Sequence, residues 1–413
     1  MTRIAAISVH ACPNPKPEAK NNGGMNVYLN ELSAEMGRRG IEVDVFTRCH
    51  DHVSTGVEEF AANARIVHLE AGDEKQEIKE LLYCHLPQFL CNLLRFTEEN
   101  GLEYDLVHSH YWLSSWIGNT LKSRWQVPHV VTFHTLGEMK NRARLGMGET
   151  DLRIATEKEM IAGADRVVAT SFAEKKQMTS LYEIESSKVE VIPCGVDFEL
   201  FRPGNKGEAK RALGFGDSKV ALYVGRIDPV KGIDLLLQVA ACLKDKKDLR
   251  IIVVGGDSGD NELERLLKLR VQLGLEERVS FIDAREHRLL PLYYNAADVC
   301  LIPSYYESFC MVALEALACG TPVIASRAGH LGVIVHHGEN GYLVDRHNPE
   351  LFAERLELLL DNEALKRTFS AAARPSVESF RWSYVAIKMA ELYGEAIRGS
   401  SSAVSPATSS VIV

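Results

Sequence analysis

At 413 residues the chain is long enough for two domains, each with a full core, which excludes a disulfide-stapled miniprotein. Hydrophobic residues make up 46% and Asp, Glu, Lys and Arg 25%, with 30 Gly and 14 Pro, a profile that excludes a disordered or fibrous chain. The formal net charge of −9 removes any general attraction for nucleic acid or an anionic membrane, so a bound anion must be held by a local arrangement of groups.

The opening residues, MTRIAAISVHA, are read as a first β-strand: their apolar stretch is too short for a signal peptide, and no later run approaches the length that spans a bilayer. Nine cysteines, an odd number without a C-x-x-C pair, argue for reduced thiols and a cytoplasmic protein rather than a disulfide framework or zinc ribbon. Short β-branched runs then alternate with amphipathic segments. Strands are predicted over 4–10, 43–47, 65–69, 106–110, 129–134, 166–171 and 189–193, with helices over 26–39, 79–100 and 152–162 between them. A second series follows, with strands over 221–224, 250–255, 279–282, 299–303 and 322–326.

Between the two series CGVDFELFRPGNKGEAK interrupts both periodicities, so the domain boundary is placed near residue 200. The expected organisation is α/β, with two facing Rossmann-like domains (1–200 and 201–380) around an interdomain cleft. A helix over 381–398 is expected to pack back on the first domain, and the Ser/Ala-rich stretch 399–413 is expected to be disordered. Ligands of doubly wound sheets bind at the carboxyl ends of strands, which directs attention to the residues just after each strand.

After the first strand, N-N-G-G-M-N-V-Y puts Gly23 and Gly24 at a helix start, where backbone N–H groups can approach a phosphate; it is neither a Walker A sequence nor G-x-G-x-x-G. The second series opens with A-L-Y-V-G-R-I-D-P-V-K-G. Arg226 supplies a fork of donors and Lys231 a point charge, a combination suited to a departing diphosphate, although a solvated loop would also carry such cations. In L-I-P-S-Y-Y-E-S-F-C-M-V-A-L-E-A-L-A-C-G-T-P-V-I-A, Glu307 sits in a turn and Glu315 on an apolar helix. Eight helical residues would return both carboxylates to nearly one face, while the N–H groups of Phe309, Cys310, Met311 and Val312 face a phosphate.

These motifs resemble the retaining nucleotide-sugar glycosyltransferases of the two-Rossmann (GT-B) fold, over about residues 1–398. Within that family GGMNVY, GIEVDVFTR, YDLVHSHYWLS and HTL followed by KN are similar to the inositol-phosphate glycosyltransferases of mycothiol synthesis, and sucrose-phosphate synthases share fewer of these phrases. The resemblance implies that the donor diphosphate meets Gly23, Gly24, Arg226 and Lys231, that Glu315 holds the ribose and Glu307 the hydroxyls of the transferred sugar, that backbone near Arg285 contacts the base, and that His134 hydrogen-bonds the donor sugar. It also implies an acceptor phosphate among Asn26, Lys79, Tyr111, Thr135 and Arg153, with His10 near the acceptor ring. The catalytic set is then Arg226, Lys231, Glu307 and His134. The implied partners are a UDP-sugar co-substrate (UDP-GlcNAc or UDP-Glc) and a phosphorylated small-molecule acceptor. No tightly bound cofactor or metal site is implied, with Mg2+ admissible as a counterion and a homodimer left open.

Lys79 and Arg153, with Tyr and Thr hydroxyls, would suit a phosphate monoester, although lone Lys and Arg ordinarily sit on solvated helix faces. His108, His110 and His134 lack structural-zinc spacing and are read as hydrogen-bonding groups. The sequence departs from the family at Cys310 and His330, where Gly is common; a Cys310 side chain would crowd the diphosphate, and a reactive thiol at that helix start is less favoured than simple packing. Exchanging Arg153 for Ala is expected chiefly to raise the acceptor KM. A UDP-sugar 2-epimerase, which needs no acceptor, and a non-catalytic nucleotide-sugar-binding protein are the readings from other classes.

Overall fold

The computed structural model describes residues 1–14, 23–49, 55–73, 78–143, 148–256, 261–345 and 348–403. The chain divides into two compact units. One comprises Met1–Met139, Gly148–Ile192 and Val385–Val413, the other Lys140–Met147 and Pro193–Tyr384. The units part at Ile192/Pro193, and the last helix, Trp382–Ala403, has residues in both. Gly399–Ala403, expected in a disordered tail, continue this helix, and 404–413 lie outside the described residues.

The first unit holds β1 (Arg3–Ile7), β2 (Glu42–Arg48), β3 (Gly56–Ala61), β4 (Ala64–Leu69), β5 (Leu106–His110), β6 (His129–Thr132), β7 (Arg166–Ala169) and β8 (Val189–Val191). Their order is β3-β4-β2-β1-β5-β6-β7-β8, parallel except that β3 pairs antiparallel with β4. The second unit holds β9 (Lys219–Val224), β10 (Leu249–Val254), β11 (Val279–Ile282), β12 (Val299–Ile302), β13 (Val323–Ser326) and β14 (Gly341–Val344), all parallel, in the order β11-β10-β9-β12-β13-β14.

The second sheet is buried on both faces, which is why its strands read as apolar runs without alternation. Successive residues of β9 enter opposite cores: Val220, Leu222 and Val224 join Cys300, Leu314 and Leu317, whereas Ala221 and Tyr223 join Leu236, Ile251 and Leu356. Each fully buried Leu or Ile there contributes about 1.5–3 kcal/mol relative to exposure.

In both sheets the strand order reverses about one point. β1 lies between β2 and β5, and β9 between β10 and β12, so the loops after β1 and β5, and those after β9 and β12, diverge to leave a crevice at the carboxyl ends. The side chains singled out from the sequence concentrate at these two points.

Candidate active site

At the reversal point of the first sheet, His10 follows β1 and Tyr111 follows β5. Their rings lie 4.5 Å apart, centroid to centroid. Tyr111 opens the helix Tyr111–Trp125 with φ +77°, and His134, just after β6, has φ +61°. Left-handed backbone on bulky non-glycine residues costs on the order of 1–3 kcal/mol each and persists only where the surroundings impose it. Here the Tyr111 ring packs on His10 and the His134 ring on Tyr28 and His110.

Arg153 lies beneath Tyr111, 1% exposed, its guanidinium 4.9 Å from that ring's centroid. Nε donates to Glu157 (2.7 Å), Nη2 to the Thr135 carbonyl and hydroxyl (2.9 and 3.1 Å), and Nη1 pairs with Glu149 (2.8 Å). Glu157, wholly buried, also accepts from the Gly137 N–H (2.9 Å) and the Tyr182 hydroxyl (2.6 Å); burial raises its pKa against the pull of Arg153. Lys79 approaches from the surface, with Nζ 3.3 Å from the Tyr111 hydroxyl and 4.9 Å from its ring centroid. Lys79, Tyr111, Thr135, Arg153 and His10 therefore form one cluster.

Asn26, also expected at the acceptor phosphate, lies at the start of its helix. Its amide donates to the Cys12 carbonyl (2.7 Å) and its oxygen accepts from the Gly23 N–H (3.1 Å), which pins the glycine turn that caps the helix Gly24–Arg38. Glu149 and Glu157, absent from the sequence reading, stand four residues to either side of Arg153; Glu157 shares its helix, where that spacing could have flagged it, whereas Glu149 precedes the helix cap.

The histidines form a ring-to-ring array in which His110 Nδ1 lies 3.0 Å from His134 Nε2 and Tyr28 meets the His134 ring edge-on at 4.9 Å. Both nitrogens of His108 are engaged, by the Tyr393 hydroxyl (2.6 Å) and the Thr132 hydroxyl (2.8 Å). Burial lowers the His134 pKa to about 3 and pushes His10, His108 and His110 well below the usual 6.5, so these imidazoles are neutral hydrogen-bonding groups at pH 7.

At the reversal point of the second sheet, the loops after β9 and β12 dock on one another. Asp228 caps the turn holding Lys231, Tyr305 N–H donates to the Val230 carbonyl (2.8 Å), and Gly232, at φ +68°, lies so close to Pro303 that a Cβ would meet its carbonyl oxygen at 2.2 Å. This docking brings Lys231 Nζ to 2.8 Å from Glu307 Oε1, which also accepts from Ser304 Oγ at 2.8 Å. Arg226 is exposed on the same loop. Glu307 precedes the helix Met311–Ala318, so it is this docking that places it, and the eight-residue helical spacing to Glu315 does not apply.

Glu315, 4% exposed, accepts from the Tyr294 hydroxyl and lies within hydrogen-bonding reach of His287 Nε2, each at 2.7 Å. Arg285, two residues before His287, is exposed, with Nε 3.3 Å from the Tyr293 hydroxyl. Phe309, Met311 and Val312 are half-buried around the helix start.

Cys310 does not crowd this helix start: it is 3% exposed and belongs to the core with Leu314 and Ala328, and burial pushes its thiol well above the ordinary range, so it is a packing residue without thiolate character. His330 stacks on Phe309 at 4.9 Å and meets Phe380 edge-on at 6.3 Å; both ring nitrogens are buried and have no hydrogen-bond partner among the described residues, and burial lowers its pKa to about 4. Leaving such atoms unpaired costs about 1–3 kcal/mol. His330→Phe, which keeps the ring and removes both nitrogens, is expected to stabilise the chain by about 1 kcal/mol. Thermal unfolding with a melting temperature at or below that of the native chain would contradict this.

Among the described residues no group of three His, Cys, Asp or Glu side chains is arranged to hold a metal, and no helix is long and apolar enough to cross a membrane. Two Rossmann-like units, each gathering charged side chains at the strand ends about its reversal point, define a GT-B glycosyltransferase.

The pattern described as Glycosyltransferase Family 4 matches residues 22–200, and that described as Glycosyl transferases group 1 matches residues 205–375. The chain belongs to this glycosyltransferase family, which disfavours the 2-epimerase reading. It is 37% identical over 404 residues to a D-inositol 3-phosphate glycosyltransferase of Corynebacterium efficiens, covering 95% of each chain. It is also 38% identical over 411 residues to a protein of the same name from Thermomonospora curvata, again covering 95% of each. Among solved structures it is similar to a sucrose-phosphate synthase from Thermosynechococcus elongatus, with TM-score 0.89 and 33% identity over 97% of this chain and 100% of that one.

Proposed function

We propose that this glycosyltransferase moves a sugar, with retention, from UDP-GlcNAc or UDP-Glc to a phosphorylated polyol, inositol 3-phosphate. The observation that carries the acceptor class is the cluster of Lys79 and Arg153 about Tyr111 and Thr135, two cations and two hydroxyls at one strand-end crevice. An unphosphorylated acceptor needs no such cluster. The name borne by relatives 37–38% identical across the chain supports inositol 3-phosphate in particular. In this reading the phosphate takes the place of Glu149 at Arg153 Nη1, while Glu157 and Thr135 keep the guanidinium plane fixed.

On the donor side, Arg226, Lys231 and the N–H groups at the start of Met311–Ala318 stabilise the diphosphate as the bond from C1 of the sugar to its oxygen breaks. The acceptor oxygen bonds C1 on the face the diphosphate leaves, and its proton passes to a diphosphate oxygen, so no carboxylate nucleophile is needed. Glu307, held by Lys231 and Ser304 through Oε1, accepts from the transferred sugar's hydroxyls. His134, kept neutral by burial, offers a hydrogen-bonding group to a sugar hydroxyl.

A second acceptor, fructose 6-phosphate, is favoured by the 33% identity to a sucrose-phosphate synthase. The test is UDP release from UDP-GlcNAc and UDP-Glc against inositol 3-phosphate, fructose 6-phosphate, phosphoglycerate and unphosphorylated controls, with Mg2+ and with EDTA. Inositol 3-phosphate is expected to give the highest kcat/KM. Turnover with unphosphorylated acceptors alone would sink the phosphate pocket, and binding without turnover would sink the transferase step.

A further inference from the structure

Glu315 raises a physical question that the transfer reaction does not answer. The helix M-V-A-L-E-A-L-A is apolar apart from this one carboxylate, which is 5% exposed at its side chain and lies between a tyrosine and a histidine. A buried carboxylate is costly unless its oxygens are hydrogen-bonded, and an apolar residue at this position would pack without that cost. The arrangement around it is lopsided. Tyr294, fully buried, reaches Oε2 from the core side, whereas His287 is 31% exposed at its side chain and reaches Oε1 from the surface, its ring braced edge-on against Phe201 at 5.0 Å. His287 opens the short turn His287–Leu289, two residues after Arg285.

We propose that His287 is a positioning residue for recognition of the nucleotide ribose. With Nε2 protonated it donates to Oε1, and together with Tyr294 on Oε2 it fixes the plane of the carboxylate. Each carboxylate oxygen can accept two hydrogen bonds, so one acceptor site per oxygen is left for the ribose hydroxyls. Without His287 the carboxylate is anchored through one oxygen only and turns about its χ angles, and the hydroxyls meet an acceptor whose direction is no longer set. The inference rests on the reading of Glu315 as the ribose acceptor and adds the group that orients it.

The experiment is calorimetric binding of UDP, 2′-deoxy-UDP and 3′-deoxy-UDP to the full chain, native and as His287→Phe and His287→Gln. Phe keeps a ring against Phe201 and removes the donor, whereas Gln keeps a donor. The native chain is expected to prefer UDP over the deoxy analogues by roughly 10- to 100-fold, the range of one hydrogen bond to a charged group. In His287→Phe that preference should shrink to within about threefold, and His287→Gln should retain most of it. The preference is a ratio measured on one preparation, so a loss of folded protein affects all ligands alike and leaves it unchanged. His287→Phe with the native preference intact overturns the role of His287 while leaving Glu315 as the ribose acceptor. A native chain that binds UDP and both deoxy analogues equally removes Glu315 from ribose recognition, and the proposal with it. Failure of the native chain to bind UDP at all refutes the UDP-donor reading itself.

Discussion

Lys231→Ala is expected to lower kcat by on the order of 10^2- to 10^3-fold, about 3–4 kcal/mol of transition-state stabilisation, while the acceptor KM changes by less than about threefold. The ammonium stands at the second sheet's reversal point, held at 2.8 Å from Glu307 by the docking of two strand-end loops, so its position is set before substrate arrives. A charge that develops only as the diphosphate departs is stabilised most by a cation that does not have to reorganise, so the loss falls on kcat. The same substitution leaves Glu307, 6% exposed, with Ser304 as its remaining described partner on Oε1, and the melting temperature should fall as well. Lys231→Arg keeps the charge and should recover part of kcat. Steady-state kinetics with both substrates varied decides the matter: an unchanged kcat in Lys231→Ala would remove Lys231 from the catalytic machinery.

Arg153→Ala has the largest expected effect on stability. Viewed in isolation as a phosphate ligand, Arg153 would shift chiefly the acceptor KM. The structure adds a second consequence, because the guanidinium is the counterion of the wholly buried Glu157 and also bonds Thr135. Removing one member of such a pair costs about 3–5 kcal/mol, a fall in melting temperature on the order of 10 °C for a unit of this size. Arg153→Met combined with Glu157→Gln, which removes both charges, should restore most of the stability but not the acceptor affinity. If Arg153→Ala melts like the native chain, the buried network is not what holds the helix Asp151–Gly163 in place. If the double variant binds acceptor normally, Arg153 is not a phosphate ligand.

Much of the architecture was legible because both sheets are parallel and buried on two faces, which makes strands such as A-L-Y-V and V-C-L-I continuous apolar runs. The strands that were missed lie at sheet edges. β3, G-V-E-E-F-A, has an exposed Glu pair and pairs antiparallel; β14, G-Y-L-V, pairs on one side only and opens on a glycine. Neither carries a period that a helix or loop could not also show. The helix expected over 79–100 is two, Lys79–Tyr83 and Leu86–Glu99. Pro87 signalled the break, since proline is tolerated only in a helix's first turn. Strand ends were overrun at β1 and β6, whose last residues are Ile7 and Thr132; Ser8–His10 and Phe133–His134 beyond them belong to the strand-end loops that the crevice uses.

The order of βα units, the positions just after strands and the residue types placed there are local properties, and one chain read alone suffices for them. The partnerships are not local. That Lys231 meets Glu307, 76 positions away, follows from β9 and β12 being neighbours in the sheet. That Glu315 is clamped by His287 and Tyr294 follows from helices packing on one face of it. That Cys310 turns into the core, Asn26 into the glycine turn and His330 into an apolar stack depends on which way a side chain points once the backbone is closed. Sequence spacing carries direction only within a helix or a strand, and these residues lie at helix and strand ends, where only tertiary packing sets it.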